Sequence, residues 1–159
     1  MIDCAIDAIY STICRDEETA DGGLDPSETV LHAPGFYRHD RSELETLTGS
    51  AIDRKVQVIA DGTTSWVPLY NPVVGVRVRC FNVFVRIGYF VGDHMTESFA
   101  VMGDDDLLIR NALIDQNNWP DCSVGCVNGI VPVSARRVEV DGDPARHIWE
   151  ITVEVTVTG

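Results

Sequence analysis

A chain of 159 residues with 45% hydrophobic and 23% charged residues is expected to fold as one domain with a core of its own. Its net charge of −13, from 25 acidic and 12 basic residues, argues against two kinds of partner: nucleic acid, gripped through clustered Lys and Arg, and an anionic membrane surface. There is no apolar run long enough to cross a bilayer, and MIDCAIDAIYSTICRDEE lacks the basic leader of a signal peptide. With no export signal, Cys4, Cys14, Cys80, Cys122 and Cys126 are expected to be reduced thiols. Every basic residue except Lys55 is an arginine. That bias favours fixed bidentate contacts with carboxylates, although a GC-rich genome accounts for it equally well.

In chain order, Ile2, Ile6, Ile9 and Ile13 form one helical stripe, so a helix is expected over residues 2–14, ending near Arg15. A polar, Gly- and Pro-containing loop follows (DEETADGGLDPS). The first thirty residues carry eight acids and one base. Glu28–Tyr37 reads as a short strand broken at Pro34-Gly35. Asp40–Leu47 reads as a turn or two of helix capped by Asp40 or Ser42. In Ile52–Ala60, Ile52, Val56, Val58 and Ala60 share one strand face and Arg54 is the exception; Asp61-Gly62 then signals a turn. Trp66–Pro72, with two prolines, reads as a loop or irregular edge whose Trp66 and Tyr70 are contact candidates.

Val76 to Val91 reads as a long apolar strand of about 50 Å at ~3.3 Å per residue. Its apolar positions are even-numbered to Cys80 and odd-numbered from Phe81. Such a phase change is expected from a β-bulge, or from a strand passing between two packing environments. A hairpin near residue 81 competes, but no Gly, Pro or Asp stands there. Residues 92–99 read as a bend. Asp104, Asp105 and Asp106 are expected to open a second helix, about 104–116, with acids on its positive end. Its apolar face takes in Leu107, Leu108, Ile109, Ala112, Leu113 and Ile114, and Asn117-Asn118-Trp119-Pro120 stops it. Two strands follow, roughly Gly129–Val140 and His147–Thr158, joined by Asp141-Gly142-Asp143-Pro144. The last alternates cleanly, with Trp149, Ile151, Val153, Val155 and Val157 on one face. The expected fold class is therefore α+β: a single domain over 1–159, with an antiparallel or mixed sheet of four to five strands. Both helices pack on one face, and a polar acidic loop region occupies about 15–50.

Motifs for catalysis are missing: G-x-S-x-G, H-E-x-x-H, Walker and G-x-G-x-x-G patterns do not occur. The Asp104–Asp106 triplet points three ways from a helix, so capping is preferred to a metal site. Asp141-Gly142-Asp143 lacks the further ligands of a calcium loop and reads as a hairpin turn. Cys122 and Cys126 have zinc-like spacing but no second Cys/His pair, since His94 and His147 stand alone. His32 and His39 flank Phe36-Tyr37 and read as ordinary loop histidines. No cofactor or metal is assigned, and the chain is read as a non-enzyme.

The order of these elements carries a resemblance. A short N-terminal helix precedes IDRKVQVIAD and VRVRCFNVFVRIGYFVGD; DDDLLIRNALIDQNNW follows, and IWEITVEVTVTG comes last. Over residues 50–159 this pattern resembles the small tail-terminator or neck (tail-completion, head-to-tail connector) proteins of tailed bacteriophages; residues 15–50 depart from it. The resemblance implies a structural virion protein, assembled in the host cytoplasm. Its copies would form a homo-oligomeric, usually hexameric, ring that caps the tail tube. The implied partners are tail-tube protein and head-connector or neck proteins, with DNA passing through the lumen without specific binding. A ring needs two complementary surfaces on each subunit. Arg77, Arg79 and Arg86 offer a basic one, joined by Trp66 and Tyr70, and the acidic N-terminal region offers the other. A head-closure protein is the alternative within the virion. Outside it stand a small cytoplasmic metal- or thiol-dependent enzyme and a monomeric binding module using Trp66, Tyr70 and Trp119.

Overall fold

The computed structural model describes residues 2–15, 23–24, 35–67, 78–92, 95–118, 127–140 and 142–158. Helix α1 spans Ile2–Ile13. Its buried side is Ala5, Ala8, Ile9, Tyr10, Thr12 and Ile13, close to the predicted stripe. The chain then meets strand β1, Tyr37–Arg38, through the Arg15 amide, which donates to the Phe36 carbonyl at 2.7 Å. Two short 3-10 turns follow, Leu44–Thr46 and Gly49–Ile52, where a turn of helix was expected over 40–47; neither has a side-chain cap.

The sheet consists of β1 and four strands of 13 residues each: β2 (Lys55–Val67), β3 (Val78–Phe90), β4 (Val127–Glu139) and β5 (Arg146–Thr158). Its order is β1-β2-β3-β5-β4. All pairings are antiparallel except β1 with β2, so the sheet is mixed and the α+β expectation holds. Strands of this length are about twice the usual. Helices α1 and α2 (Met95–Ile114) pack on one face. There Val83, Val85, Ile87 and Tyr89 of β3 and Ile151, Val153, Val155 and Val157 of β5 are buried to within 1%. Each such aliphatic side chain contributes roughly 1.5–3 kcal/mol by leaving water.

Three sequence expectations are corrected. First, β3 has no bulge at Cys80–Phe81: its register with β5 is unbroken from Val78↔Thr158 to Phe90↔Arg146. The irregularity lies on the neighbouring strand, between Ala60 and Thr64. Second, Asp61-Gly62 does not end its strand, because β2 continues through Val67 and absorbs the extra residues as that register shift. Third, α2 starts at Met95, so Asp104–Asp106 sit in mid-helix and cap nothing. With the helix extended backwards, Val101, Asp105 and Ile109 fall on one stripe at spacings of four, and Asp105 goes inside. Leu107 and Ile114, expected on the apolar face, are 61% and 57% exposed.

Among the described residues, the second face of the sheet is covered at one end. There the segment 41–52, carrying both 3-10 turns, lies over the ends of β3 and β5. Leu44 and Ile52 join Val140 and Ile148 in a small second core. Gly88 permits the approach: a Cβ there would stand 2.4 Å from both Cγ1 and the carbonyl oxygen of Ile52. Further along this face the side chains are polar and wetter, with Asn82 and Glu154 exposed. The expected strand over 28–37 falls mostly outside the described residues, except for β1.

Candidate functional site

Polar chemistry concentrates in two places. The first is a closed cluster between the sheet and α2. Arg54, 0% exposed, donates from Nε to Asp105 Oδ2 at 3.2 Å, and its Nη1 lies 3.8 Å from Asp53 Oδ2. The Tyr89 hydroxyl donates to the same Asp105 oxygen at 2.8 Å. Arg54 adopts a left-handed backbone (φ 51°), uncommon for a residue with a side chain, at the turn that feeds β2 from the 3-10 segment. Burial raises the Asp105 carboxyl above its ordinary range, against the pull of Arg54 and Tyr89; burial likewise raises Asp53. At 0–1% exposure the Arg54–Asp105–Tyr89 cluster has no contact with solvent and fastens α2 to the sheet.

The second is a polar rung across the other face. Gln57, Arg86, Glu150 and Arg136 occupy matched positions on β2, β3, β5 and β4. Arg86 Nη1 donates to Gln57 Oε1 at 3.2 Å, Arg86 Nε lies 3.4 Å from Glu150 Oε2, and Arg136 Nε donates to Glu150 Oε1 at 3.0 Å. From the covering segment, Glu45 pairs with Arg86 Nη2, and Glu43 stands 3.6 Å from Nη1. The hydrogen bond from Arg86 holds the Glu45 carboxyl below its ordinary range. Arg146 adds a second tie, donating to the carbonyls of Glu45 and Leu47 while Asp143 accepts from its Nε at 2.6 Å. Beside it lies a cleft of about 280 Å3 lined by Glu45, Val138, Glu139, Val140, Arg146 and Ile148.

The predicted contact residues separate along the sheet. Trp66 and Arg79 are register partners at the β2–β3 end. Tyr70 and Arg77 lie outside the described residues, in the connection between those strands. Arg86 lies toward the opposite end, its side chain 10% exposed and engaged within its own subunit. The sequence reading passed over Glu45, Asp105 and Glu150 as partners of buried arginines. Asp105 could have been found from its four-residue spacing to Val101 and Ile109. Glu45, a long-range partner, leaves no such signal.

Cys122, Cys126, His32, His94 and Trp119 lie outside the described residues, so the zinc and pocket readings built on them do too. Among the described residues no group of three or more His, Cys, Asp or Glu side chains could hold a metal, and no helix is long and apolar enough to cross a membrane. Burial pushes the Cys14 thiol up to about 12, so it is protonated at neutral pH and unsuited to nucleophilic work. His39 bonds to the Ser42 hydroxyl at 3.0 Å; His147 is buried, with Nε2 2.8 Å from the Pro144 carbonyl. Asp143 accepts from the Ala145 amide at 2.9 Å, as the hairpin-turn reading expects.

What remains open is edge and surface. Among the described residues the outer side of β4 is a sheet edge, with Val131 and Val133 51% and 53% exposed. On α2, Phe99 is 53% exposed, with the Arg137 guanidinium 4.0 Å from its ring centre. No family model matches this chain, and no curated protein matches it. Among solved structures, the fold is similar to a chain in the virion of a native gene transfer agent (GTA) particle. The likeness has a TM-score of 0.54 at 14% identity and covers 96% of this chain and 93% of that one.

Proposed function

We propose that this chain is a structural virion protein of a phage-like tail–neck junction. It acts as a tail terminator: copies assemble into a ring, hexameric in the usual case, that caps the tail tube and joins it to the head connector. DNA passes through the lumen. The observation that carries this reading is the end-to-end likeness of fold to a virion chain. The pattern of strands and helices in the sequence points the same way. A chain of −13 suits a conduit, because an acidic wall does not hold phosphates. The two buried arginine clusters are engaged within the subunit itself. In this reading the protein is not an enzyme, needs no cofactor, and assembles in the host cytoplasm.

Trp66 and Arg79, at the β2–β3 end of the sheet, together with Tyr70 and Arg77 from the intervening sequence, are proposed to meet a neighbouring subunit or the tube. Arg86, assigned to the same surface from sequence, contributes by holding segment 41–52 in place. The test mixes purified protein with tail-tube protein and follows light scattering and negative-stain images. Rings, alone or on tube ends, are expected. An Arg77→Glu, Arg79→Glu variant is expected to keep the fold by circular dichroism and lose the rings. A monomer under all conditions, tube protein included, refutes the reading. Rings that bind a head connector but not the tube make the protein a head-closure component instead.

A further inference from the structure

The rung across the covered face alternates in charge along its length: Arg86, Glu150, Arg136. Its last member stands on the outermost strand with its side chain 73% exposed, and the next position outward is vacant of any strand among the described residues. The neighbouring position on β4, Arg137, is also exposed and lies on the helix-bearing face against Phe99. The edge therefore presents a cation on each face. Over its whole length, Val127–Glu139, it contains these two arginines and one acid, the exposed Glu139 at its end, a net of one positive charge in a chain of −13.

The opposite edge is its complement. There β2 is covered by β1 at Lys55 and Val56, and the Val58 amide donates to the Tyr10 hydroxyl at 2.8 Å. Beyond that point β2 has no outer strand among the described residues. Residues 59–67 hold one acid, the exposed Asp61, and no base. Strand direction agrees as well. Successive pairings from β2 through β3 and β5 to β4 are all antiparallel, so β4 runs opposite to β2. A neighbour related by rotation about an axis along the strands sets its β2 beside this β4 in antiparallel orientation. That continues the pattern of the sheet from one subunit to the next.

We propose that the outer edge of β4, with Val131, Val133, Arg136 and Arg137, docks a second copy of this chain along that copy's β2 edge at 59–67. This assignment rests on the ring reading above and supplies the two unlike surfaces that a closed ring requires. Register shifts at Val127/Gly129 and Pro132/Ser134, and the missing N–H of Pro132, interrupt an uncontrolled backbone ladder. Selection of the partner then falls to the valines, which give contact area, and to the two arginines, which set charge.

The test places the photo-crosslinking residue p-benzoylphenylalanine at Val133 in the full chain, with tube protein present, and maps the products by mass spectrometry. Products joining position 133 to the 59–67 peptide of a second copy are expected. Adding Arg136→Glu and Arg137→Glu is expected to lower their yield roughly fivefold or more, as loss of such charge contacts implies. Circular dichroism checks that both proteins stay folded. Rings that crosslink elsewhere in the second copy, or to tube protein, overturn the edge assignment and leave the ring reading standing. A protein that stays monomeric by light scattering, with no two-copy product, overturns both.

Discussion

Replacing Asp105 tests whether the mid-helix acid is what fastens α2. Asp105 is 1% exposed and receives two hydrogen bonds on one oxygen, from Arg54 at 3.2 Å and Tyr89 at 2.8 Å. Removing one partner of a buried ion pair costs about 3–5 kcal/mol, since the remaining charge keeps its desolvation cost. Asp53 stays 3.8 Å from the Arg54 guanidinium, so the low end applies. Asp105→Asn, which can still accept from Tyr89, should lose about 3 kcal/mol, and Asp105→Ala about 1 kcal/mol more for the stranded hydroxyl. With a urea slope of about 2 kcal/mol per molar, the unfolding midpoint falls by roughly 1.5–2 M, read by far-UV circular dichroism at pH 7. Asp104→Ala is the control: its side chain is exposed, and its cost should lie within about 0.5 kcal/mol. If the triplet acted as a helix cap, Asp104 would matter as much as Asp105. Equal losses at the two positions, or a loss below about 1 kcal/mol for Asp105→Ala, refute the buried-clasp assignment.

Gly88→Ala should destabilise by about 2 kcal/mol, lowering the melting temperature by roughly 5 °C in calorimetry, because the added methyl meets the Ile52 backbone. Arg86→Met leaves Glu150 to Arg136 alone and releases Glu45; about 2–3 kcal/mol should be lost, and limited proteolysis should reach segment 41–52 sooner. The same variant carries a pH signature. Glu45 has a lowered folded-state pKa, so its contribution is present above the ordinary carboxylate value and is lost as pH falls through the lowered one. Urea midpoints measured from about pH 5 to 3 should fall less steeply in Arg86→Met than in the unaltered protein.

Period-based signals were legible wherever one face is dry and the other wet. The clean alternation of β5 and the stripe of α1 both survive in the structure. The signal failed where local chemistry and tertiary placement disagree. Three consecutive aspartates look like a helix start because acids favour that end. The helix instead begins nine residues earlier, and a buried arginine 51 positions away accommodates the middle acid. Asp61-Gly62 looks like a turn because isolated dipeptides of that kind turn; flanked by a long β3, the strand goes on with extra residues in its register. Arg54 registered only as an exception in an alternating run. Nothing local distinguishes a buried arginine from a solvated one, because its partner comes from another element. The same holds for Arg86, which sequence placed on a contact surface and the fold placed under Glu45.

The order of the sheet also bears on how the protein is made. β5 follows the other strands in the chain, yet it sits between β3 and β4. During synthesis, among the described residues, β3 is paired on one side only until residues 146–158 leave the ribosome, and β4 has no partner strand in the sheet before then. The nascent chain therefore carries Val83, Val85 and Ile87 on a strand with one open side while more than fifty further residues are added. Closure depends on contacts between distant parts of the chain, which slows folding and prolongs exposure to aggregation. Truncation within β5 should leave an insoluble product rather than a smaller folded one, and chaperone demand should fall sharply once the final strand has been synthesised.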